Sequence, residues 1–147
     1  MFDRAMIGKE YPTFTLDVEK GRIRQFAQAI GYDNPLWRDP EIAKSQGFPS
    51  IPAPPTFGFT LAMDANQPFL VLEDMAIDKR KSMHGEQIFT YHAPILAGDT
   101  ITGRQKIVDM FDKKGGALQF IVTETRLSNQ RGEAVADLRT VIVVRNG

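Results

Sequence analysis

With 147 residues, 42% of them hydrophobic, the chain can bury one core but not two comfortable ones, so a single domain over 1–147 is expected. Its 18 basic and 18 acidic residues cancel, which excludes a general attraction to nucleic acid or to an anionic membrane surface. The absence of cysteine excludes disulfides and thiolate metal sites. The opening residues, MFDRAMIGKEYP, are charged throughout and hold no continuous apolar run. Neither a secretory signal nor a membrane anchor is expected there, and a soluble cytoplasmic protein is the default.

Residues 13–18 alternate and predict a short edge strand. From Lys20 the apolar positions Ile23, Phe26, Ala27 and Ile30 recur at i, i+3, i+4 and i+7, with Arg22, Arg24, Gln25 and Gln28 on the other face. That is an amphipathic helix, and Gly31 ends it. The stretch 32–38, YDNPLWR, has no helical period and contains Asp-Asn-Pro, so a tight loop is expected. Asp39-Pro40-Glu41 then supplies a cap and a first-turn proline for a second short helix, which stops at Gly47. A proline-punctuated crossing over 48–53 delivers the chain to its most apolar segment.

That segment, 54–66 (PPTFGFTLAMDAN), reads as one helix of about three turns. Pro55 suits a first turn and Thr56 can cap it through its hydroxyl. Phe57, Phe59, Leu61, Ala62, Met63 and Ala65 leave no broad polar stripe, so this helix needs covering nearly all round. It is too short to cross a bilayer and needs a protein wrapper. Residues 68–81 read as loop or irregular strand with Phe69, Val71 and Leu72 turned inward. Four long segments rich in β-formers follow, 83–92, 100–111, 118–127 and 134–144. The Gly-rich and Asn-Gln-Arg-Gly connections between the last three predict hairpins and an antiparallel sheet. Leu118, Phe120 and Val122 share one face of the third segment, and Ala136, Leu138, Thr140, Ile142 and Val144 one face of the fourth. Both sets are expected to bury the central helix.

Helices first, then a meander of long strands closing over one apolar helix, is the element order of an α+β hot-dog fold, a curved antiparallel sheet wrapped around a central helix. The loop sharpens this. AIGYDNPLWRDPEIA resembles the signature of the MaoC-like hydratase and dehydratase family, Gly-Asp-x-Asn-Pro-Leu-His with a small residue further on. Gly31, Asn34, Pro35, Leu36 and Ala43 fall in register. APPTF at 53–57 and HGEQIFTYHAPILAGDTI at 84–101 resemble the same family in the same order, in the flavour of its N-terminal, non-catalytic half.

The resemblance implies chemistry on acyl thioesters, adding water to an enoyl thioester or removing it from an (R)-3-hydroxyacyl thioester, with the acyl group on coenzyme A or an acyl carrier protein and no further cofactor. The family uses an Asp and a His of the loop. One group moves the proton of water or of C2, the other the proton on oxygen, and a backbone N–H at the start of the central helix holds the enolate. In this chain the Asp position is Tyr32 and the His position is Trp37. Phenols ordinarily titrate near 10 and indoles not at all in water, so neither substitutes for the lost group. Pro55 falls where the enolate-binding N–H belongs and has none; Thr56 supplies it only if the register slips by one.

The groove implied by the resemblance is lined by Tyr32, Asn34, Trp37, Pro54, Thr56, Phe57, Phe59, His84 and Gly85. Asp33 and His84 are the displaced candidates for acid and base. Against that role, Asp33 in Asp-Asn-Pro ordinarily accepts N–H bonds of its own turn, and His84 at a strand start is ordinarily structural. His84 and His92 share strand parity but lack a third ligand, so no metal is expected. Gly98-Asp99 reads as a turn leading into a strand and Trp37 as a packing cover. Arg38, Lys79, Arg80 and Lys81 read as surface charges unless the coenzyme A phosphates need them.

Three expectations follow for function. The chain is a catalytically silent subunit lending its groove to an acyl chain beside a catalytic MaoC-like partner, an active hydratase using Asp33 and His84, or an acyl-thioester-binding homodimer without chemistry.

Overall fold

The computed structural model describes residues 3–65 and 67–146. Met1, Phe2 and Gly147 of the single-domain reading, and Asn66 at the end of the expected central helix, lie outside the described residues. Five strands make one antiparallel sheet in the order β1-β3-β4-β5-β2: β1 (Phe14–Asp17), β2 (Ser82–Tyr91), β3 (Thr100–Lys113), β4 (Leu118–Ser128) and β5 (Ala134–Arg145). The long strands begin and end within two residues of the segments read from β-propensity, and β3–β4 and β4–β5 are the expected hairpins. β1 is the expected edge strand. Its Phe14 lies directly opposite Gly103, whose missing side chain leaves room for the ring: a Cβ there would stand 2.1 Å from Phe14 Cζ.

Among the described residues, four α-helices accompany the sheet: α1 (Lys20–Ala29), α2 (Pro40–Ser45), α3 (Phe57–Asp64) and α4 (Gln67–Asp74). α1 buries Ile23 and Ala27 completely, and Gly31, at φ +75°, takes the left-handed conformation that closes its C-terminus. α2 starts as expected, with Asp39 accepting N–H bonds from Glu41 at 2.8 Å and Ile42 at 3.4 Å. α3 is the central helix. Phe57 is completely buried and Leu61 and Ala62 nearly so, each large side chain contributing on the order of 1.5–3 kcal/mol.

Four expectations are corrected. The hydroxyl of Thr56 makes no cap bond, because the residue already has helical dihedrals (φ −88°, ψ 0°) and cannot reach back to the first turn. α3 is covered on one flank only: Phe59 is half-buried and Met63 38% exposed, since the sheet curls around a single side. The stretch 68–81 is largely helical, because Val71 and Leu72 reach the core from one face of α4, a period masked by the short segment. In β4 the inward set is Gln119, Ile121, Thr123, Thr125 and Leu127, the opposite parity to the one read, although Val122 of the read set is buried too. Leu118 and Phe120 face outward, where Phe120 stacks on Phe111 with ring centroids 4.6 Å apart. The inward set of β5, Ala136, Leu138, Thr140, Ile142 and Val144, is buried as expected.

The core has two apolar clusters. One joins β1, α1 and α3 to Leu127 and Leu138; the other joins Tyr11 and α4 to Ile107, Met110, Ile121 and Ile142. Between them the inward side chains of the sheet are polar: Gln105, Thr123, Thr125 and Thr140 are all buried.

Candidate functional site

The loop after α1 is built from its own sequence. Gly31 turns the chain, the Tyr32 N–H donates to the Ala27 carbonyl at 2.8 Å, and the Asn34 side chain accepts the Leu36 N–H at 2.9 Å. Pro35–Trp37 then forms a single 3-10 turn. The Asx role expected of Asp33 therefore belongs to Asn34. The Asp33 carboxylate is 95% exposed and meets only the Arg38 guanidinium, at 3.4 Å. This geometry sets the rings of Tyr32 and Trp37 beside each other, centroids 5.6 Å apart and tilted by 39°. The two positions that matter most in the loop are thus neighbours in space.

Beside them lies an apolar cavity of about 400 Å³, walled by Trp37, Pro54, Pro55, Gly58, Tyr91, Ile95 and Leu138. Gly58 is both a cavity wall and a close contact: a Cβ there would lie 3.1 Å from Leu127 Cδ1 and 3.5 Å from Ile95 Cδ1. Tyr91, the last residue of β2, has its phenol held above the ordinary range, first by burial and then by the nearby Tyr32. His92 stands on the rim, its Nε2 sharing a hydrogen bond of 2.8 Å with Asp137 Oδ2.

His92 also borders a second depression, of about 640 Å³, on the outer face of the sheet. Arg104, Lys106 and Arg126 there are matched by Glu10, Glu124 and Asp137, a charge-balanced surface unsuited to an apolar tail.

The other expected site residues disperse. Phe57 is core and touches Phe26 edge to face at 5.5 Å. Thr56 is exposed. Phe59 packs on His84, ring centroids 5.1 Å apart, where α3 meets the start of β2. Gly85 sits at a bulge, and a Cβ on it would stand 2.6 Å from Val143 Cγ2, so its smallness serves the β2–β5 contact. Of the expected set, Trp37 and Pro54 line the cavity and Tyr32 and Asn34 hold its neighbouring loop. Asp33 and His84 share no contact that would make them an acid–base pair. Lys79 and Arg80 have local partners, Glu73 at 2.7 Å and Asp78 at 2.8 Å. Asp99 closes the turn before β3 by accepting the Leu96 N–H at 3.0 Å. Among the described residues, no three His, Asp or Glu side chains gather as metal ligands, and no helix is long and apolar enough to cross a membrane.

Sequence reading missed the walls Tyr91 and Leu138 and the His92–Asp137 pair. Tyr91 and His92 fall inside the YHAP stretch; Asp137 carried no signal of its own.

A strongly curved antiparallel sheet on one central helix, with an apolar cavity at the helix start, defines the hot-dog dehydratase class. The family model described as "FAS1-like, dehydratase domain region" matches residues 5–138, and the chain belongs to this MaoC-like hydratase and dehydratase family. A UPF0336 protein of Saccharopolyspora erythraea is 35% identical over 144 residues, covering 97% of this chain and 91% of that one. Another, of Thermobifida fusca, is 36% identical over 129 residues, covering 88% and 84%. Among solved structures, the C-terminally truncated HadBC (3R-hydroxyacyl-ACP dehydratase) complex of Mycobacterium tuberculosis superposes with a TM-score of 0.81 at 27% identity over 94% of this chain and 96% of that one. A MaoC-like dehydratase superposes at 0.85 with 25% identity, covering 97% of this chain and 43% of that one.

Proposed function

We propose that this chain is the acyl-thioester-binding, catalytically silent subunit of an (R)-specific hydratase or dehydratase, completed by a MaoC-like chain that carries an intact loop. The observation that carries this is the Tyr32–Trp37 pair. The loop keeps its turn and stands beside an apolar cavity, while the two side chains that would move protons are a phenol and an indole. At the helix start, Pro55 stands where the enolate-binding N–H belongs and has none, and the Phe57 N–H donates to the Pro54 carbonyl at 2.9 Å. The cavity suits an alkyl tail, each buried methylene contributing about 0.8 kcal/mol before ordering costs.

The need for a partner is supported by what the chain leaves uncovered. β2 is a ten-residue edge strand with Met83 51%, Ile88 42% and Tyr91 53% exposed, and Phe59 on His84 joins that edge to the open flank of α3. A two-fold or pseudo-two-fold partner would cover edge and flank together. The HadBC structure, a complex by name, supports the same reading.

Steady-state assays with crotonyl- and longer enoyl-CoA, and with the same acyl groups on a carrier protein, test the silence. The chain alone should show no turnover above background, and a catalytic partner should restore it. Robust activity of the lone chain that Asp33→Asn or His84→Ala abolishes would overturn it. Calorimetry with acyl-CoAs of increasing length tests the cavity. Affinity should climb with length; a flat response removes the acyl-binding role and leaves the chain as a structural half of its dimer.

A further inference from the structure

Among the described residues, two buried side-chain oxygens have no hydrogen-bond partner, Gln105 Oε1 and Thr123 Oγ1. Their residues are 3% and 1% exposed. Both belong to the polar seam that separates the two apolar clusters, and the ladder register shows how close they are. Gln105 lies directly opposite Thr125, and Thr123 lies two residues along β4 on the same face, so the two are diagonal neighbours. Diagonal Cα atoms in an antiparallel pair stand roughly 7–8 Å apart, with side chains that lean together. The two oxygens do not bond each other, and one intervening donor of two hydrogen bonds can link them.

Neither oxygen is satisfied by a neighbour. The next inward side chain along β3 from Gln105 is Ile107, of the apolar cluster, and Thr125, directly opposite, makes no hydrogen bond to Gln105 Oε1. Thr123 lies opposite Ile107 on β3 and Thr140 on β5, and the Thr140 hydroxyl already donates to Gln87 Oε1 at 2.7 Å. A buried oxygen left bare loses its solvation with nothing in return, and two side by side double the loss. Immobilising one water molecule costs less than leaving both bare. Folded proteins hold about one buried water per 27 residues, so on the order of five are expected in a chain of this length.

We propose that Gln105 and Thr123 bind one internal water, which donates to Gln105 Oε1 and to Thr123 Oγ1 and accepts from a neighbouring hydroxyl. The site is a water-binding site at the junction of the two halves of the core. The row Thr123, Thr140, Gln87 runs from it across β4 and β5 to the open edge at β2, where half-buried Gln87 gives the water a polar route of exchange with solvent.

The test is a cycle of four full-length chains, wild type, Gln105→Leu, Thr123→Val and the double variant, read by thermal unfolding and by oxygen-17 relaxation dispersion of water. With a bound water, each single variant strips it of a partner and leaves the other oxygen bare. Each should lower Tm by roughly 3–8 °C, whereas the double variant, dry and apolar, should recover much of the loss. Dispersion should report one long-lived water fewer in the double variant than in wild type. Thr123→Ser keeps the hydroxyl and should keep the water, which separates its loss from a change of packing. Two bare oxygens with no water would give the opposite sign, since removing either one would raise Tm. A rise in either single variant, strictly additive losses in the double variant, or an unchanged count of long-lived waters overturns the site.

Discussion

β4 and β2 are strands of nearly equal length, rich in the same residue types, and the sheet treats them in opposite ways. β4 lies at the centre, hydrogen-bonded on both sides, with six of its residues buried, Gln119, Ile121, Val122, Thr123, Thr125 and Leu127. β2 lies at the edge, bonded only to β5 among the described strands, and none of its residues is buried. The other edge, β1, shows that the fold can protect a margin: it is only four residues long. β2 has no such defence. SMHGEQIFTY contains no lysine, arginine or proline to discourage pairing, and its one irregularity is the bulge at Gly85. The difference teaches that the chain's stability resides in its centre while its unfinished surface lies along β2, beside the open flank of α3.

One substitution type made in both strands breaks or sharpens this contrast most strongly. Ile121→Ala, at a completely buried position of β4, should destabilise by about 2–5 kcal/mol in chemical denaturation, through lost burial and the cavity left behind. Ile88→Ala on β2 should change the isolated chain by no more than about 0.5 kcal/mol. Equal losses at the two sites would mean that β2 is as integral to the lone chain as β4. Gly85→Ala comes next in size. Its Cβ would stand 2.6 Å from Val143 Cγ2 and 3.2 Å from the Val141 carbonyl oxygen, and the overpacking should cost about 1–3 kcal/mol. A neutral result would show that the bulge relaxes freely and that the β2–β5 contact is loose. Smaller still is the effect on association. Ile88→Lys should leave the melting of the isolated chain unchanged but weaken pairing with a second copy or a catalytic partner about tenfold, near 1.4 kcal/mol. Light scattering across a concentration series reads this directly, and unaltered association would place the interface elsewhere.

The same contrast explains which features were legible in the sequence. The four long strands could be read because β-branched and aromatic residues run between strong turn signals, and the loop could be read because Asn34-Pro35 fixes its turn locally. The inward face of β4 runs against hydrophobicity for a physical reason: three of its five residues are Gln119, Thr123 and Thr125, so hydrophobicity pointed at the other set, Leu118, Phe120 and Val122, of which Phe120 stacks on Phe111 and Val122 is itself buried. α4 was misread because eight residues give too few turns for a period to stand out. The His92–Asp137 pair lies beyond sequence reasoning altogether, since 45 residues separate partners that only the β2–β5 register brings together. Trp37 and Pro54 were legible as cavity residues through the family motif. Tyr91 and Leu138, its other walls, are ordinary strand residues until the sheet curves.

The smallest effect separates two carboxylates that flank the turn leading into β2. Asp74 is held below its ordinary range first by hydrogen bonds from Lys9 and Tyr11, which tie α4 to the segment before β1. Asp78 is lowered to about 2, first by the Arg80 side chain and then by the Arg80 N–H. Depressed carboxylates contribute stability above their unfolded-state value, near 3.8, and lose it as pH falls through the folded value, so both effects should fade on going from about pH 5 to pH 2. The deeper shift should nevertheless matter less. Arg80 is two residues from Asp78 and can find it in the unfolded chain, whereas Lys9 and Tyr11 are more than sixty residues from Asp74 and meet it only after folding. Both groups are exposed, so salt should damp either contribution. Thermal melts from pH 5 to pH 2 on wild type, Asp74→Asn and Asp78→Asn decide between them. The Tm gap between wild type and Asp74→Asn should be the wider one at pH 5 and should close on acidification, while Asp78→Asn should track wild type throughout. A wider gap for Asp78→Asn would mean that its turn forms only with β2 in place, and that the edge strand is held more tightly at its start than its exposure suggests.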